Sequence, residues 1–413
     1  MKKKITIGIL VIVVLLSIFA ITSFSPRNTQ SLEREVVFWT LQMNEFTPYM
    51  TDVITKFEYQ NPDIKIKWID VPFSEGEKRT LAAILSNNPP SLVNLNPDFS
   101  GVLAQKGALE EIPSEMLTSY NKELLNALKI NGKIFAIPWY ATSAVTIYNT
   151  DILNRADIKN PPKTFEEVGN YAKTVKDKTN CYIFMPTLTE NDTTYKLLNK
   201  YGINSPNRLT DKASVRVFNF YRDLYKKDLI PKESVTQTHR ESLEKYMSGD
   251  IAMLQAGANF LNIIKENAPN IYKKTEVAPQ LTGTLGQYDF SLMNFVIPAK
   301  AKNKEDALKF ALFLTNEENQ LKLAKLTNVL TTNEKGLKSD YYQKFDDNDL
   351  MSKARVQSAK QLYKIEPVLK QQKSQKEVND LLNTSVQMIL IDNVKTENIL
   401  ESAAKKWDKL KFN

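Results

Sequence analysis

Strand-like and helix-like segments alternate over residues 36–105, and this alternation constrains the fold more than any other feature. Residues 36–39 form a short apolar run, apolar residues then recur at helical spacing over 46–57, and polarity alternates over 64–68. A second helical pattern and the apolar run 91–95 complete the series. Strand, helix, strand, helix, strand in one stretch predicts a parallel sheet with right-handed crossovers.

The rest of the chain also contains alternating strand-like and helix-like segments, and the whole chain is too long for a single hydrophobic core. Thr164 and Glu167 have the spacing of a helix-capping pair. A helical pattern follows over 209–227, and apolar strand-like runs occur at 251–254 and 292–297. A chain of 413 residues exceeds what one hydrophobic core usually serves. We therefore expect an α/β protein of two lobes.

The net charge of +8 does not indicate nucleic-acid binding. Lys2, Lys3 and Lys4 belong to the amino-terminal segment, and without these three the charge falls from +8 to +5. The other basic residues are interspersed with Asp and Glu, which is typical of solvated helix faces, and no basic groove with interleaved aromatic residues is visible. The pattern therefore favours a partner other than nucleic acid.

The amino-terminal segment, residues 1–31, has the layout of a secretory signal peptide or of a signal anchor left in place. Residues 1–4 are positively charged, 5–21 are mainly apolar and 23–31 are polar. No cysteine follows the apolar run, which excludes lipid attachment there, and Cys181, the only cysteine, can form no intramolecular disulfide. Cleavage of the segment and its retention as a membrane anchor through 5–21 both predict an extracytoplasmic protein, in the periplasm or cell envelope.

A turn and an apolar run precede two large aromatic residues in the first half of the chain. Residues 131–132 are a turn signal, 134–137 suit a buried strand, and Pro138 is expected to end its hydrogen-bonded ladder. Trp139 and Tyr140 then stand at the strand end. Rings in that position either fill a core or form a ligand platform, and we interpret them as the wall of a ligand site.

Four segments resemble the sugar-type, or maltodextrin-type, extracellular solute-binding proteins of ABC importers. The first two are 132–149 and 160–168, the second reading Asn-Pro-Pro-Lys-Thr-Phe-Glu-Glu-Val. The third, 243–253, resembles the helix, glycine and strand that precede the binding loop of the family's second lobe. The fourth, 295–307, resembles its return strand, loop and helix. The resemblance covers the chain from about Glu35 to its end.

The resemblance implies a two-lobed fold of the periplasmic-binding-protein type, in which hinge strands join the lobes and the ligand lies in the cleft between them. Each lobe is then a parallel-rich sheet flanked by helices, with the first at 33–142 plus 294–345 and the second at 143–293 plus 346–413. Hinge movement lets such lobes close as rigid bodies on a ligand. The residues expected at the hinge are Ala141, Thr142, Ser143, Met293 and Asn294.

In the first lobe the candidate ligand contacts stand just after predicted strands. They are Trp39, Asp98, Trp139 and Tyr140. Flat rings stack on the apolar faces of sugars, while planar polar groups bind the hydroxyls. Capping of the next helix is the alternative role of Asp98, and core packing is the alternative for the rings.

In the second lobe the candidate contacts are weaker. Asn259 and Phe260 stand where the resembling family often has tryptophan, so the stacking ring of that family is replaced, and Phe260 is the residue that can supply it. Glu190 and Tyr288 are candidates from their loop position alone.

Enzymatic chemistry has little support in the sequence. His239 is the only histidine and stands in a polar stretch typical of a helix start, and the chain has no nucleotide-binding glycine loop, catalytic-serine elbow or cysteine pair for a metal. The alternatives are an extracytoplasmic glycosidase, which needs only two carboxylates, and an envelope-anchored interaction or sensor protein with the same fold. The favoured function is a monomeric, non-catalytic protein without metal or cofactor that captures a sugar or polyol and delivers it to ABC permease subunits.

Overall fold

The computed structural model describes residues 34–43, 46–365, 374–392 and 394–410. The predicted signal peptide or anchor at 1–31 lies outside these residues. The strands are β1 (Arg34–Leu41), β2 (Ile64–Val71), β3 (Leu92–Leu95), β4 (Ile137–Thr142), β5 (Val145–Asn149), β6 (Met253–Ala256), β7 (Thr275–Ala278), β8 (Ser291–Val296) and β9 (Leu330–Thr331).

Helices cover both faces of the sheets that these strands form. The α-helices are α1 (Thr47–Gln60), α2 (Phe73–Leu85), α3 (Pro97–Gln105), α4 (Lys122–Ala127), α5 (Thr150–Arg155), α6 (Phe165–Thr179), α7 (Thr193–Asn199), α8 (Pro206–Leu209), α9 (Lys212–Lys226), α10 (His239–Ser248), α11 (Phe260–Asn267), α12 (Pro269–Tyr272), α13 (Lys304–Leu314), α14 (Glu317–Thr327), α15 (Glu334–Leu337), α16 (Asp340–Gln343), α17 (Leu350–Gln361), α18 (Gln375–Ile391) and α19 (Thr396–Leu410). Among the helices of the described ranges, none combines the length and apolar character that crossing a membrane requires.

The first sheet has six strands in the order β2-β1-β3-β8-β4-β9. β1 pairs in parallel with β2 and β3, as the alternation of segments predicts. β8 lies antiparallel between β3 and β4. Because β8 comes from much later in the chain, the first sheet combines the amino-terminal part of the protein with a returning segment.

The second sheet has three strands in the order β6-β5-β7, and both of its pairs are antiparallel. Parallel contacts beside it are single bridges, Tyr182 with Ile251 and Thr164 with Thr282. The parallel pairing expected in each lobe therefore occurs at β1 to β3, whereas the named strands of the second sheet run antiparallel. The reason is that β5, which follows β4 directly, takes the central position and accepts β6 and β7 on its two edges.

Each sheet has its own hydrophobic core. Beside the first sheet, the Phe38 ring meets Phe295 and Phe310 edge to face, with centroids 5.5 and 5.3 Å apart. Beside the second, Tyr195 and Trp407 meet edge to face at 6.0 Å. Aromatic pairs in this geometry stabilise a core beyond the area that they bury. The protein is thus mixed α/β, with two separately packed sheets.

The strand predicted at 134–137 is displaced in the structure, where β4 spans Ile137–Thr142. Pro138 does not end the ladder, because it pairs with Asn294 of β8 and the register shifts between Pro138 and Tyr140. An irregularity of this kind lets proline, which lacks an N–H donor, stay inside a strand. The aromatic pair after Pro138 consequently lies within the strand rather than beyond its end.

Helix α17 packs against both sheets. Leu350 and Ala354 near its start belong to the buried cluster around β5 and β6. Ala359, and Leu362 just after the helix, belong to the cluster around β3 and β8. A rigid element that contacts both cores can set the orientation of the two sheets relative to each other.

Candidate ligand-binding site

Residues between Phe165 and Asp289 line a cavity of about 360 Å³. Its wall comes from α7, the start of α10, the end of β6, and residues within 184–188 and 280–289. Small-molecule sites in proteins are typically concave spaces of this size or larger. This cavity is therefore the candidate site.

Apolar side chains form the buried part of the wall. Leu281 is fully buried, and Leu188 and Tyr221 are 2% and 3% exposed. Phe165 and Phe184 stand beside them in the wall, and all five belong to the core around the second sheet. Burial raises the pKa of the Tyr221 phenol well above its ordinary value, so this ring adds no charge to the site.

Two lysines and two aspartates bring charge into the wall. Lys196 Nζ lies 3.0 Å from Asp192 Oδ2, and Lys200, with 4% of its side chain exposed, lies 2.9 Å from Asp289 Oδ2. Burial lowers the pKa of Lys196, but the carboxylates of Asp192, Asp289 and Asp98 outweigh it and hold that pKa above its ordinary value. Since Asp98 belongs to α3 beside the first sheet, this part of the chain lies within electrostatic range of Lys196.

Asp98 does not cap its helix. The Asn96 side chain caps α3 by accepting the Phe99 amide hydrogen at 2.8 Å, and Asp98 follows in the first turn. The capping alternative for Asp98 is thus wrong. Its contact with a ligand stays a prediction.

Two rings stand at the open rim of the cavity. Thr238 and Glu241 form a capping box that starts α10 at His239, as the sequence predicts. His239 Nδ1 lies 2.5 Å from Glu190 Oε1, and the His239 amide donates to Glu190 Oε2 at 2.8 Å. The Phe260 ring meets the His239 ring edge to face at 5.9 Å. Glu190 therefore fixes His239, while His239 and Phe260 line the cavity.

The end of β6 is held in place by its own hydrogen bonds. Gln255 Nε2 donates to Thr146 Oγ1 at 2.6 Å, and Gln255 Oε1 accepts the Leu281 amide hydrogen at 2.9 Å. At Gly257 a Cβ atom would lie 2.5 Å from Asn259 Oδ1, so the tight turn leaves little room for a side chain. Asn259 is exposed and stands outside the lining residues.

Trp139 lies in the core of the first sheet and not in the cavity wall. None of its surface is exposed. Its ring stacks on Phe295 at 4.5 Å and meets Tyr140 edge to face at 4.9 Å, and its carbonyl accepts a hydrogen bond from Gln320 Nε2 at 2.6 Å. The expected ligand contact of Trp139 is wrong, because β4 continues past Pro138 and places this ring inside the core.

Three further candidates lie outside the lining of this cavity. Tyr140 is half-buried against the first core, and burial raises its pKa to about 12. Trp39 stands within β1, paired with Val93, and is half-buried. The Tyr288 amide donates to the Lys364 carbonyl at 3.0 Å. Ligand contact by these residues stays a prediction.

The direct link between the two sheets consists of residues 143–144. β4 ends at Thr142 and β5 begins at Val145, so Ser143 stands in the link as expected of a hinge residue. Ala141 and Thr142 are the last two residues of β4 and remain paired with β8.

The return to the first sheet occurs earlier than expected. Met293 and Asn294 lie inside β8, where they pair with β4, and the strand begins at Ser291. Both residues are therefore ladder positions, and their role in the hinge stays a prediction. The return link precedes Ser291 because the β8–β4 ladder already starts there.

A single glutamine joins the link to the cavity wall. Gln361, which is 1% exposed, donates from Nε2 to Ser143 Oγ at 2.7 Å and to the Ala144 carbonyl at 2.8 Å. Its Oε1 accepts the Gln280 amide hydrogen at 2.7 Å. Ser143 Oγ in turn donates to the Asp289 carbonyl at 3.1 Å. The segment that carries Gln280 and Asp289 into the cavity is thus tied to the link.

Sequence reasoning missed most of the polar wall. One part of it has a signal in the sequence: an interval of four residues separates Asp192, Lys196 and Lys200. This spacing places the three side chains on one face of a helix and could have predicted that they act together. Gln280 and Asp289 carry no local signal, because only the tertiary structure brings this segment to the cavity.

The side chains of the cavity wall can recognise a ligand by ring stacking and hydrogen bonding. Phe260 supplies a ring face, and Asp192, Lys196 and Asp289 supply charged hydrogen-bonding groups. Within the described ranges, no group of three or more His, Cys, Asp or Glu side chains is placed to hold a metal ion. The arrangement therefore suits a polar, ring-shaped solute.

Known proteins share this architecture. A structure from Synechococcus sp. MITs9220, provisionally described as an oligosaccharide periplasmic-binding protein, has a TM-score of 0.81 at 28% identity, covering 91% of this chain and 99% of that one. The sugar-binding protein MalE from Xanthomonas citri shares the fold, with a TM-score of 0.78, 18% identity, and coverage of 92% and 97%. The galactooligosaccharide-binding protein of Bacillus subtilis (strain 168) is 23% identical over 341 residues, 77% of this chain and 78% of that protein.

The family model described as bacterial extracellular solute-binding protein matches residues 42–321. This match spans the strands β2 to β8 and every residue of the cavity wall. The two sheets, each with its own helices, correspond to the two lobes of that fold. The chain therefore belongs to the bacterial extracellular solute-binding proteins.

Proposed function

We propose that this chain captures a sugar or sugar-like solute between its lobes and delivers it to the permease of an ABC importer. The cavity carries the proposal, since it combines a ring at the rim with charged hydrogen-bonding groups in one small space. Membership in a solute-binding family supports capture. The relatives named for sugar and galactooligosaccharide binding support a carbohydrate.

The charges in the wall favour a neutral ligand. Lys196 and Lys200 are each paired with an aspartate, so the site offers hydrogen bonds without a large excess of either sign. Carboxylate and ammonium groups of this kind bind hydroxyls, while Phe260 can stack on the apolar face of a ring. A volume of about 360 Å³ suits a small carbohydrate, of about one or two rings.

The lobes close through the links between them. We place the first lobe at about 34–142 plus 291–343 and the second at about 145–278 plus 350–410, which shifts the return boundary from 294 to 291. The placement is supported by the strand limits and by the separate cores. Hinge closure of such lobes sequesters the solute.

The location and the partner proposed for the chain follow from its family and its amino-terminal segment. The mature chain acts outside the cytoplasmic membrane, as a monomer that performs no chemistry on its ligand. Residues 5–21 direct its export and either leave with a cleaved signal or anchor it in the membrane. The closed, loaded form is the one that the permease subunits recognise.

Thermal unfolding across a carbohydrate panel tests the proposal. A ligand that binds only the folded chain at 100 times its Kd stabilises it by about 2.7 kcal/mol, which raises the Tm measurably. We expect a shift with at least one mono- or disaccharide. Absence of any shift with mono-, di- and oligosaccharides and polyols would contradict sugar capture, and release of product from an oligosaccharide would contradict a purely binding role.

Replacing Phe260 with alanine should weaken binding of that sugar by about tenfold, since a stacked ring contributes about 1 kcal/mol beyond its buried area. Calorimetric titration measures the loss. The matched control is Phe345→Ala, because Phe345 is 49% exposed and stands outside the cavity lining. Equal affinities of Phe260→Ala and the wild type would remove Phe260 from the site.

Replacing Lys196 with glutamine should weaken binding about three- to tenfold at low salt. Asp98 of the first lobe and Asp192 and Asp289 of the second all interact with the Lys196 ammonium, so its loss removes their shared counter-charge and their repulsion opposes closure. The effect should shrink between about 0.01 M and about 1 M salt, as the Debye length falls from about 30 to 3 Å. Lys212→Gln, an exposed site at the start of α9, is the control. A loss that is independent of salt would argue for a direct ligand contact instead.

A further inference from the structure

The cavity wall changes in polarity from its open side to its buried side. On the open side, Lys196 has 45% and His239 62% of the side chain exposed. On the buried side, Leu281 is 0%, Leu188 2% and Tyr221 3% exposed. A ligand that fills the space therefore meets a charged open side and a mainly apolar buried side, where the one charged group, Lys200, is paired with Asp289.

The buried side of the wall, here called the inner wall, is continuous with the core of the second lobe. Its members all belong to one hydrophobic cluster and are Phe165, Phe184, Leu188, Leu197, Tyr221 and Leu281. The buried part of the lining is thus mainly hydrocarbon, and its polar side chains are Lys200, Ser242 and Gln280. Apolar groups gain most by leaving water for such a surface.

The polar side chains next to the inner wall already form hydrogen bonds with other groups of the protein. Ser242 Oγ donates to the Met185 carbonyl at 3.4 Å. Gln280 Oε1 accepts from the Asp289 amide at 2.7 Å and from Lys200 Nζ at 3.4 Å. A ligand hydroxyl placed there would have to displace these bonds, and a buried polar group without a partner is strongly disfavoured.

We propose that the solute is a sugar that carries an apolar substituent, with a methyl-bearing group on the inner wall and its hydroxyls at Lys196, Asp289 and His239. This inference rests on the proposed sugar capture and adds the class of sugar. A fully hydroxylated hexose fills the rim equally well but leaves the inner wall without a matching group. The substituted sugar therefore binds more tightly than its unsubstituted parent.

Matched sugar pairs test the proposal by calorimetry on the purified chain. Glucose and galactose are each compared with their 6-deoxy form, methyl glycoside and N-acetylamino form. At least one substituted member should bind about tenfold or more tightly than its parent, the discrimination typical of one methyl-sized group in an apolar pocket. Parents that bind as well as or better than every substituted form would overturn this inference while leaving sugar capture intact. If no sugar of either kind binds, both proposals fail.

Two variants test whether the preference for a substituted sugar arises in the cavity. Ala256 lines the cavity at the end of β6 and is 9% exposed, so Ala256→Val narrows the space with a residue that suits a strand. It should lower the affinity for the substituted sugar more than the affinity for the parent, and so reduce the preference. Ala258→Val, outside the lining, is its matched control and should keep the preference.

Leu188→Ala provides an independent check if the valine variant does not fold. Removing this side chain enlarges the space beside the inner wall, so the preferred substituent should become one carbon or more larger than in the wild type, such as N-propionyl in place of N-acetyl or ethyl glycoside in place of methyl glycoside. A preference that is unchanged in both folded variants would show that the substituent does not lie on the inner wall, and would overturn the inference.

Discussion

The Trp139→Ala variant should lose about 3–5 kcal/mol of unfolding free energy, the cost of removing a large ring from a core that cannot collapse onto the gap. Trp139 is wholly buried, and its ring packs between Phe295 and Tyr140. A void in this position removes contacts from both of these aromatic rings at once. Because the residue has no surface toward the cavity, whatever fraction stays folded should bind sugar with an affinity close to that of the wild type.

Urea unfolding followed by far-ultraviolet circular dichroism measures this loss. Trp139→Phe, which keeps an aromatic ring in the core, should lose clearly less. Trp68→Ala serves as a second control, since Trp68 is half-buried on β2. A Trp139→Ala protein with wild-type stability and abolished sugar binding would contradict the core assignment and return this ring to the ligand site.

The Gln361→Leu variant should lose about 2–6 kcal/mol of unfolding free energy, because two buried backbone groups lose their partners at about 1–3 kcal/mol each. Those groups are the Ala144 carbonyl and the Gln280 amide, which lie on the two links between the lobes. Leucine has a similar volume, so the change removes hydrogen bonds rather than packing. Since Gln280 also lines the cavity, sugar affinity should fall as well.

Small-angle scattering separates this effect from simple destabilisation. The wild type should become more compact when sugar is added, and Gln361→Leu should show a smaller change under conditions where both proteins are folded. Gln60→Leu, an exposed glutamine at the end of α1, is the matched control and should stay within about 0.5 kcal/mol of the wild type. Wild-type affinity and compaction in Gln361→Leu would exclude a role of this side chain in the hinge.

Local patterns predicted the elements of the fold well where one physical cause dominates. The apolar periodicity over 46–57 corresponds to α1, and Thr164 caps α6 by accepting the Glu167 amide hydrogen. Strand direction in the second sheet was not accessible in this way, because pairing depends on contacts between segments far apart in sequence. The Pro138 error has the same origin: the β8 ladder and its register shift keep the strand going.

The site was predicted in part. Phe260, a candidate from the family resemblance, lines the cavity, and Glu190, a candidate from its loop position, holds a lining histidine. The argument failed for Trp139, because a position after a short apolar run is not the end of a strand when the strand continues to Thr142. The buried Lys200–Asp289 pair joins residues far apart in sequence and therefore has no local signature.

Hydrogen exchange with and without the sugar that gives the largest thermal shift tests capture in this cavity most directly. Slower exchange is expected in α7, at the Phe260 end of β6, in the first turn of α3 across the cleft, and in the links at 143–144 and 280–289. Protection on both lobes and in the links is what closure around a ligand in this cavity predicts. Protection that omits α7 and the β6 end, or no change anywhere in the presence of saturating sugar, would contradict it.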